Sequence, residues 1–135
     1  MTRVAITAPG AATVGPYSHA VEAAGLLFLS GQTPIDRSTG KLVAGALGEQ
    51  TLQCFRNLGE VLEAAGLTFD DVVNVQVYLT DMNDFAAMNE VYAQQFRKPF
   101  PARTTIGVAS LPLGARIEIG MTAKTGSGTD SPYAV

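Results

Sequence analysis

The sequence predicts an α+β domain of two layers, a mixed sheet of about six strands with two helices on one face. Three observations carry that reading. The 135 residues make one domain of ordinary size, without an internal repeat or a linker. Hydrophobic spacing changes along the chain in the order three strands, helix, strand, helix, two strands. Only two segments have helical spacing, and together they cover one side of a sheet, so the other side needs a cover from outside the chain.

The first 17 residues are short apolar pieces broken by Pro9-Gly10 and Gly15-Pro16, and read as a strand followed by an ordered loop. Tyr17 to Ala24 and Leu26 to Gln32 read as two strands joined at Gly25. In the second, Leu26-Leu27-Phe28-Leu29 is apolar on both faces, as in a central strand covered on both sides. Thr33 to Gly45, with Pro34, Asp36, Ser38 and Gly40, reads as a loop. From Leu47 to Ala65 the apolar positions recur every three or four residues, one helical stripe that includes Cys54 and Phe55 and is closed by Gly66.

Val73, Val75, Val77 and Leu79 then alternate with Asn74, Gln76 and Tyr78, a half-buried strand. Thr80 to Asp84 turns the chain and caps a second helix, in which Phe85, Met88, Val91, Tyr92 and Phe96 share a face. Pro99 and Pro101 stop it. Ala102 to Val108 and Arg116 to Ala123 are the last two strands, linked by Leu111-Pro112-Leu113-Gly114. The end of the chain is small and polar. The expectation is a domain over residues 1–124 and a mobile tail over 125–135.

Composition narrows the partners. Charged residues are 16% of the chain, against about a quarter in a typical soluble domain. That shortage predicts surface hidden against other subunits. Net charge is −3, and the nine Lys and Arg are scattered, with Arg97 and Lys98 the closest pair. Phosphate-backbone binding draws on clustered cations, so nucleic acid is not an expected partner. One cysteine excludes an internal disulfide and agrees with a reducing compartment. One histidine and one cysteine cannot build a zinc site within one chain. The N-terminus lacks the apolar core of a signal peptide, and no run reaches membrane-spanning length. A cytoplasmic protein with no membrane partner is expected.

Arg103 is the most informative residue. In its strand Thr104, Ile106 and Val108 point one way, and Arg103, Thr105 and Gly107 the other. A strand arginine needs partners for its five donors. They are met either by a salt bridge or subunit contact, or by a carboxylate ligand gripped in two parallel hydrogen bonds. Glu118 lies opposite the core-facing Ile117, Ile119 and Met121. If the last two strands form a hairpin, Arg103 and Glu118 share a face, as an ion pair or as an anion-holding arginine beside a proton-handling carboxylate. Gly15-Pro16-Tyr17 and Ser30-Gly31-Gln32 add two hydroxyls and two turns. His19 reads as a surface strand residue and Cys54 as core.

Several ordered blocks resemble the YjgF/RidA family, the reactive intermediate deaminases. They are AATVGPYSHA, LFLSGQTPID at 27–36, EAAGLTFDDVV, VYLTDMNDFAAMNEVYAQQF and PARTTIGVASLPLGARIEI at 101–119. The resemblance implies a chorismate-mutase-like fold, a homotrimer with ligand clefts between subunits, and no cofactor or metal. It implies hydrolysis of enamines and imines, such as 2-aminoacrylate and 2-iminobutanoate released by pyridoxal-phosphate enzymes, to 2-oxo acids and ammonia. It also leaves room for a non-catalytic carboxylate-binding, regulatory or chaperone-like member, or a pathway-specific one acting on another imine.

Carried over residue by residue, the resemblance makes Arg103 the carboxylate-binding arginine and Glu118 the water-positioning glutamate. Tyr17 and Ser30, with Gly31, fall in the cleft, and Asn89 and Tyr92 on the second helix support it. Two positions depart from the family pattern. Thr105 stands where many members have cysteine, and Gly120 where many have a second glutamate. Neither removes the arginine or the first carboxylate, but both bear on substrate preference.

Overall fold

Strand and helix periods alternate as the spacing predicts in the computed structural model, which describes residues 3–9 and 15–126. β1 is Val4–Ile6, β2 Ala20–Ala23, β3 Leu26–Gln32, β4 Ile35–Asp36, β5 Lys41–Leu42 and α1 Leu47–Ala64. β6 is Val72–Leu79, α2 Phe85–Gln95, β7 Ala102–Gly107 and β8 Ile117–Lys124. Six strands form one mixed sheet in the order β1-β2-β3-β8-β6-β7. The expected two-layer α+β architecture is the one found. Most of the expected tail, from residue 127 onward, lies outside the described residues.

Three local readings are corrected. The segment from Thr33 to Gly45 is not only loop: β4 and β5 form a small hairpin, Ile35 opposite Leu42 and Asp36 opposite Lys41. Two-residue strands are too short to show a period of two, so only the turn signals were visible. The buried Asn57 of α1 ties this hairpin down, its amide donating to the carbonyls of Thr33 (3.2 Å) and Ile35 (3.0 Å). The second strand begins at Ala20 rather than Tyr17. His19, expected on the surface, is only 3% exposed, and its Nδ1 accepts the backbone N–H of Ala8 at 3.2 Å. That bond anchors the N-terminal segment.

The largest correction is topological. β7 and β8 do not form a hairpin. The β6–α2–β7 connection passes through a helix, so β7 returns parallel to β6 at the sheet edge. β8 then inserts between β3 and β6, antiparallel to both.

Period two sorts the side chains of this sheet. Val75, Val77, Ile117, Ile119 and Met121 are buried under the helices. α1 meets them with Cys54, Phe55, Leu58, Val61 and Leu62, as its stripe predicts. The helix ends in a Schellman cap: Gly66 takes φ +75°, its N–H bonds the carbonyl of Glu63, and that of Leu67 bonds Leu62. Phe55 packs edge-on against Phe69, Tyr92 and Phe96, with each pair of ring centroids 5.8 Å apart. Through Phe55, α1 therefore supports α2.

No helix among the described residues lies over the other face. It carries Phe28 and Ile106, 47% and 45% exposed, among Asn74, Gln76, Tyr78, Thr104 and Thr122. Phe28 is the outward residue of the run expected to be covered on both sides; Leu27 and Leu29 face inward.

Phe55→Ala removes the ring shared by three aromatic contacts and leaves a cavity. It should lower stability by about 3–5 kcal/mol, read by chemical denaturation at fixed protein concentration.

Candidate functional site

Arg103 stands in register with the buried Val75, so it points to the helix side of the sheet. There α2 presents Phe85, Asn89 and Tyr92 at intervals of four and three residues, one helical face. The Arg103 guanidinium lies 4.6 Å from the centroid of the Tyr92 ring and 5.5 Å from that of Phe85. Its Nη1 donates to Asn89 Oδ1 at 2.6 Å. Stacking holds the plane of the fork while leaving its edge to bind an anion. A hollow of about 400 Å³ opens here, lined by Asn89, Tyr92, Ala93, Phe100, Pro101 and Arg103.

Burial pushes the Tyr92 phenol above its ordinary pKa, opposed in part by the positive charge of Arg103. The phenol stays neutral at working pH. Thr105 shares the strand face of Arg103 two residues on. Its Oγ1, like Tyr92 Oη, is buried with no hydrogen-bond partner among the described residues.

Glu118 is in register with Tyr78 on the face without helices. A smaller cavity of about 200 Å³ surrounds it, walled in part by Tyr17, Gly31, Ile35, Pro112 and Leu113. Partial burial raises the Glu118 pKa above the ordinary glutamate value. Ser30 precedes Gly31, but its hydroxyl proton is committed to the Ser18 carbonyl at 2.6 Å. Ser30 thus shapes this cavity through the backbone.

The predicted site residues therefore fall into two groups. Arg103, Asn89, Tyr92 and Thr105 gather on the helix side at the sheet edge. Tyr17, Ser30, Gly31 and Glu118 gather on the other side. Arg103 and Glu118 do not share a face of one chain: Arg103 is in register with Val75 and Glu118 with Tyr78, which point to opposite faces of β6. Their rows, Val75 and Tyr78 on β6, are three residues apart, roughly 10 Å along the strand.

Sequence reasoning missed Phe85 as a stacking partner, although it shares the helical stripe of Tyr92. It also missed Leu113, which appeared only as a link. Leu113 has φ +62° and walls the Glu118 cavity. A larger hollow of about 670 Å³ lies beside Phe69, Phe96 and Phe100, but there Arg97 is already paired with Asp70. No cluster of potential metal ligands occurs among the described residues.

Residues 6–125 match the family described as Endoribonuclease L-PSP. The chain is 47% identical over 117 residues to 2-iminobutanoate/2-iminopropanoate deaminase of Homo sapiens, covering 87% of this chain and 85% of that protein. It is 48% identical over 119 residues to a RutC family protein of Pyrococcus horikoshii, covering 88% and 94%. Among solved structures, the YjgF gene product of E. coli superposes with a TM-score of 0.85 at 35% identity, covering 91% of this chain and 99% of that one. RidA from an Antarctic Psychrobacter gives a TM-score of 0.86 at 40% identity, covering 91% and 100%.

The raised Glu118 pKa has a stability consequence with a definite sign. The unfolded carboxyl releases its proton first, so stability falls as pH rises from the ordinary carboxylate range through the raised value. Glu118→Gln should therefore melt higher than the unmodified protein at neutral pH, with the advantage vanishing below about pH 4. Melting curves across pH check it; a lower melting temperature for the Gln variant at pH 7 would reveal a favourable partner for the charge.

Proposed function

This chain belongs to the Endoribonuclease L-PSP family, the family of YjgF and RidA, and from that we propose that it hydrolyses 2-imino acids and their enamine tautomers to 2-oxo acids and ammonia. The observation that carries the proposal is the division of labour between the two half-sites. One presents a stacked arginine fork with an open edge, suited to a carboxylate. The other presents a carboxylate that partial burial makes a stronger base than an exposed glutamate, suited to taking a proton from water. A 2-imino acid has a carboxylate next to an electrophilic carbon and needs both.

Neither half completes the site alone. We therefore propose a homotrimer in which the Arg103 half of each subunit closes against the Glu118 half of a neighbour. The uncovered sheet face with Phe28 and Ile106, and the low charge content, support burial against other copies.

In the proposed mechanism Arg103 fixes the substrate carboxylate, and Asn89 and Tyr92 fix Arg103. Glu118 holds a water against the imine carbon and takes its proton as the C–O bond forms. The tetrahedral adduct carries hydroxyl and amino groups on one carbon. Glu118 returns that proton to the amino group; ammonia then leaves as the hydroxyl gives up its proton to Glu118, and the carbon becomes the carbonyl of the 2-oxo acid. A protonated imine is already electrophilic, so orientation and a base suffice; such a base contributes typically 10²–10⁴-fold. Tyr17 lines the cleft beside Glu118, while the buried Thr105 hydroxyl lies on the carboxylate side. We propose that the protein works in the cytoplasm, beside pyridoxal-phosphate dehydratases that release substrates of this kind. No helix among the described residues is long and apolar enough to cross a membrane.

The test couples a serine or threonine dehydratase to this protein and traps remaining imine with semicarbazide. Added protein should reduce trapping and speed oxo-acid formation; no change in either would refute the proposal. Arg103→Ala and Arg103→Lys should both lose at least about thirtyfold in kcat/KM, since losing a charged hydrogen-bond partner typically costs about 2–5 kcal/mol and an ammonium does not reproduce the planar grip. A lysine variant of near-native efficiency would make Arg103 structural. Light scattering should give three times 14.1 kDa at low micromolar concentration; an active 14.1 kDa species would contradict the shared cleft.

A further inference from the structure

Gly31 has no conformational need to be glycine. It is not among the residues with positive φ, so an L side chain fits its backbone. What it lacks is room. A Cβ built on Gly31 would stand 2.4 Å from Glu118 Oε2, 3.0 Å from Cδ and 3.2 Å from Cγ, so the Glu118 side chain lies flat along the Gly31 backbone. Real Cβ atoms do not approach so closely, and the group that must yield is the free end of Glu118.

The local chain is built to present that bare backbone. Pairing of β3 with β8 breaks register between Leu29 and Gln32, a bulge that includes Ser30 and Gly31. The bulge is fixed from the other side by two bonds, Ser30 N–H to the His19 carbonyl at 2.9 Å and Ser30 Oγ to the Ser18 carbonyl at 2.6 Å. Across from it there is room at Gly120: a Cβ there would meet Gly31 Cα at 3.6 Å and Gln76 Oε1 at 3.7 Å, ordinary contact distances, so the tight approach is confined to Gly31 and Glu118.

We propose that Gly31 is a positioning residue for the reaction: its missing side chain is the seat that holds the Glu118 carboxylate against the bulge, in the half-buried place from which it works. This rests on the role of Glu118 proposed above. Because the seat acts through Glu118, filling it should impair the chemical step and leave carboxylate binding at Arg103 intact. It should also release Glu118 toward solvent, undoing the burial that raises its pKa.

The experiment is Gly31→Ala in the full chain, with three readouts. kcat for imine hydrolysis should fall about tenfold or more. Affinity for 2-oxobutanoate, by calorimetry, should stay within about threefold, since the carboxylate grip is untouched. The Glu118 carboxyl, followed by ¹³C NMR titration, should move down toward the ordinary glutamate value. Unchanged kcat with an unchanged titration overturns the proposal. An affinity loss matching the fall in kcat/KM, with the titration unmoved, also overturns it, because Gly31 would then act on the ligand directly. The titration needs no turnover: a shifted Glu118 in a protein that hydrolyses no imine upholds the seat and rejects the deaminase reading. If Gly31→Ala fails to fold, adding Glu118→Ala removes the atoms the new methyl meets and should restore folding; a double variant that stays unfolded overturns the seat.

Discussion

Side chains on a strand alternate between two faces, and that constraint decides what this chain can do alone. β8 runs between β3 and β6 with Ile117, Ile119 and Met121 turned toward the helices, so Glu118 has to face away from them. β7 runs parallel to β6 at the edge with Arg103 beside Val75, so Arg103 has to face toward them. A slip of one residue in β8 would bring the two groups to one face, but it would also turn Ile117, Ile119 and Met121 out of the core. The hydrophobic pattern that fixes β8 in the sheet is thus the same pattern that turns Glu118 away from Arg103.

The two half-sites draw their rigidity from different parts of the fold. On the helix side, Phe55 of α1 packs on Tyr92, Tyr92 carries the Arg103 guanidinium, and Asn89 fixes its orientation. The arginine is therefore positioned by the aromatic core. On the other side, Asn57 pins the β4–β5 hairpin, which contributes Ile35 to the Glu118 cavity, and the Ser30 bonds pin the bulge that contributes Gly31. That cavity is organised by hydrogen bonds to backbone rather than by packed rings. Stability and the proposed chemistry meet at Glu118, whose charge is disfavoured by its surroundings, so that its carboxylate is a stronger base than an exposed one.

What could be read from the residues, and what could not, follows from how local each signal is. The α1 stripe, its Gly66 cap and the alternation in β6 are short-range patterns, and they appear where spacing places them. Arg103 and Glu118 stood out because charged residues inside apolar strands demand partners. Strand order is not local. Nothing between residues 102 and 124 distinguishes a hairpin from an insertion of β8 beside β3, and the wrong choice put Arg103 and Glu118 on one face. His19 reads as surface because its buried partner, the Ala8 N–H, is eleven residues away in sequence. Gly31 was visible as a turn residue. That its value lies in the space under Glu118 requires the cross-strand register.

The central claim is that a working site takes Arg103 from one subunit and Glu118 from another. Mixing inactive Arg103→Ala chains with inactive Glu118→Gln chains, after reversible dissociation, tests it most directly. In a ring with repeating head-to-tail seams, random one-to-one exchange leaves about a quarter of the seams with both groups intact. With a shared site, the mixture should recover about a quarter of the unmodified activity. A mixture that stays inactive, although mass spectrometry shows that the subunits have exchanged, would contradict it.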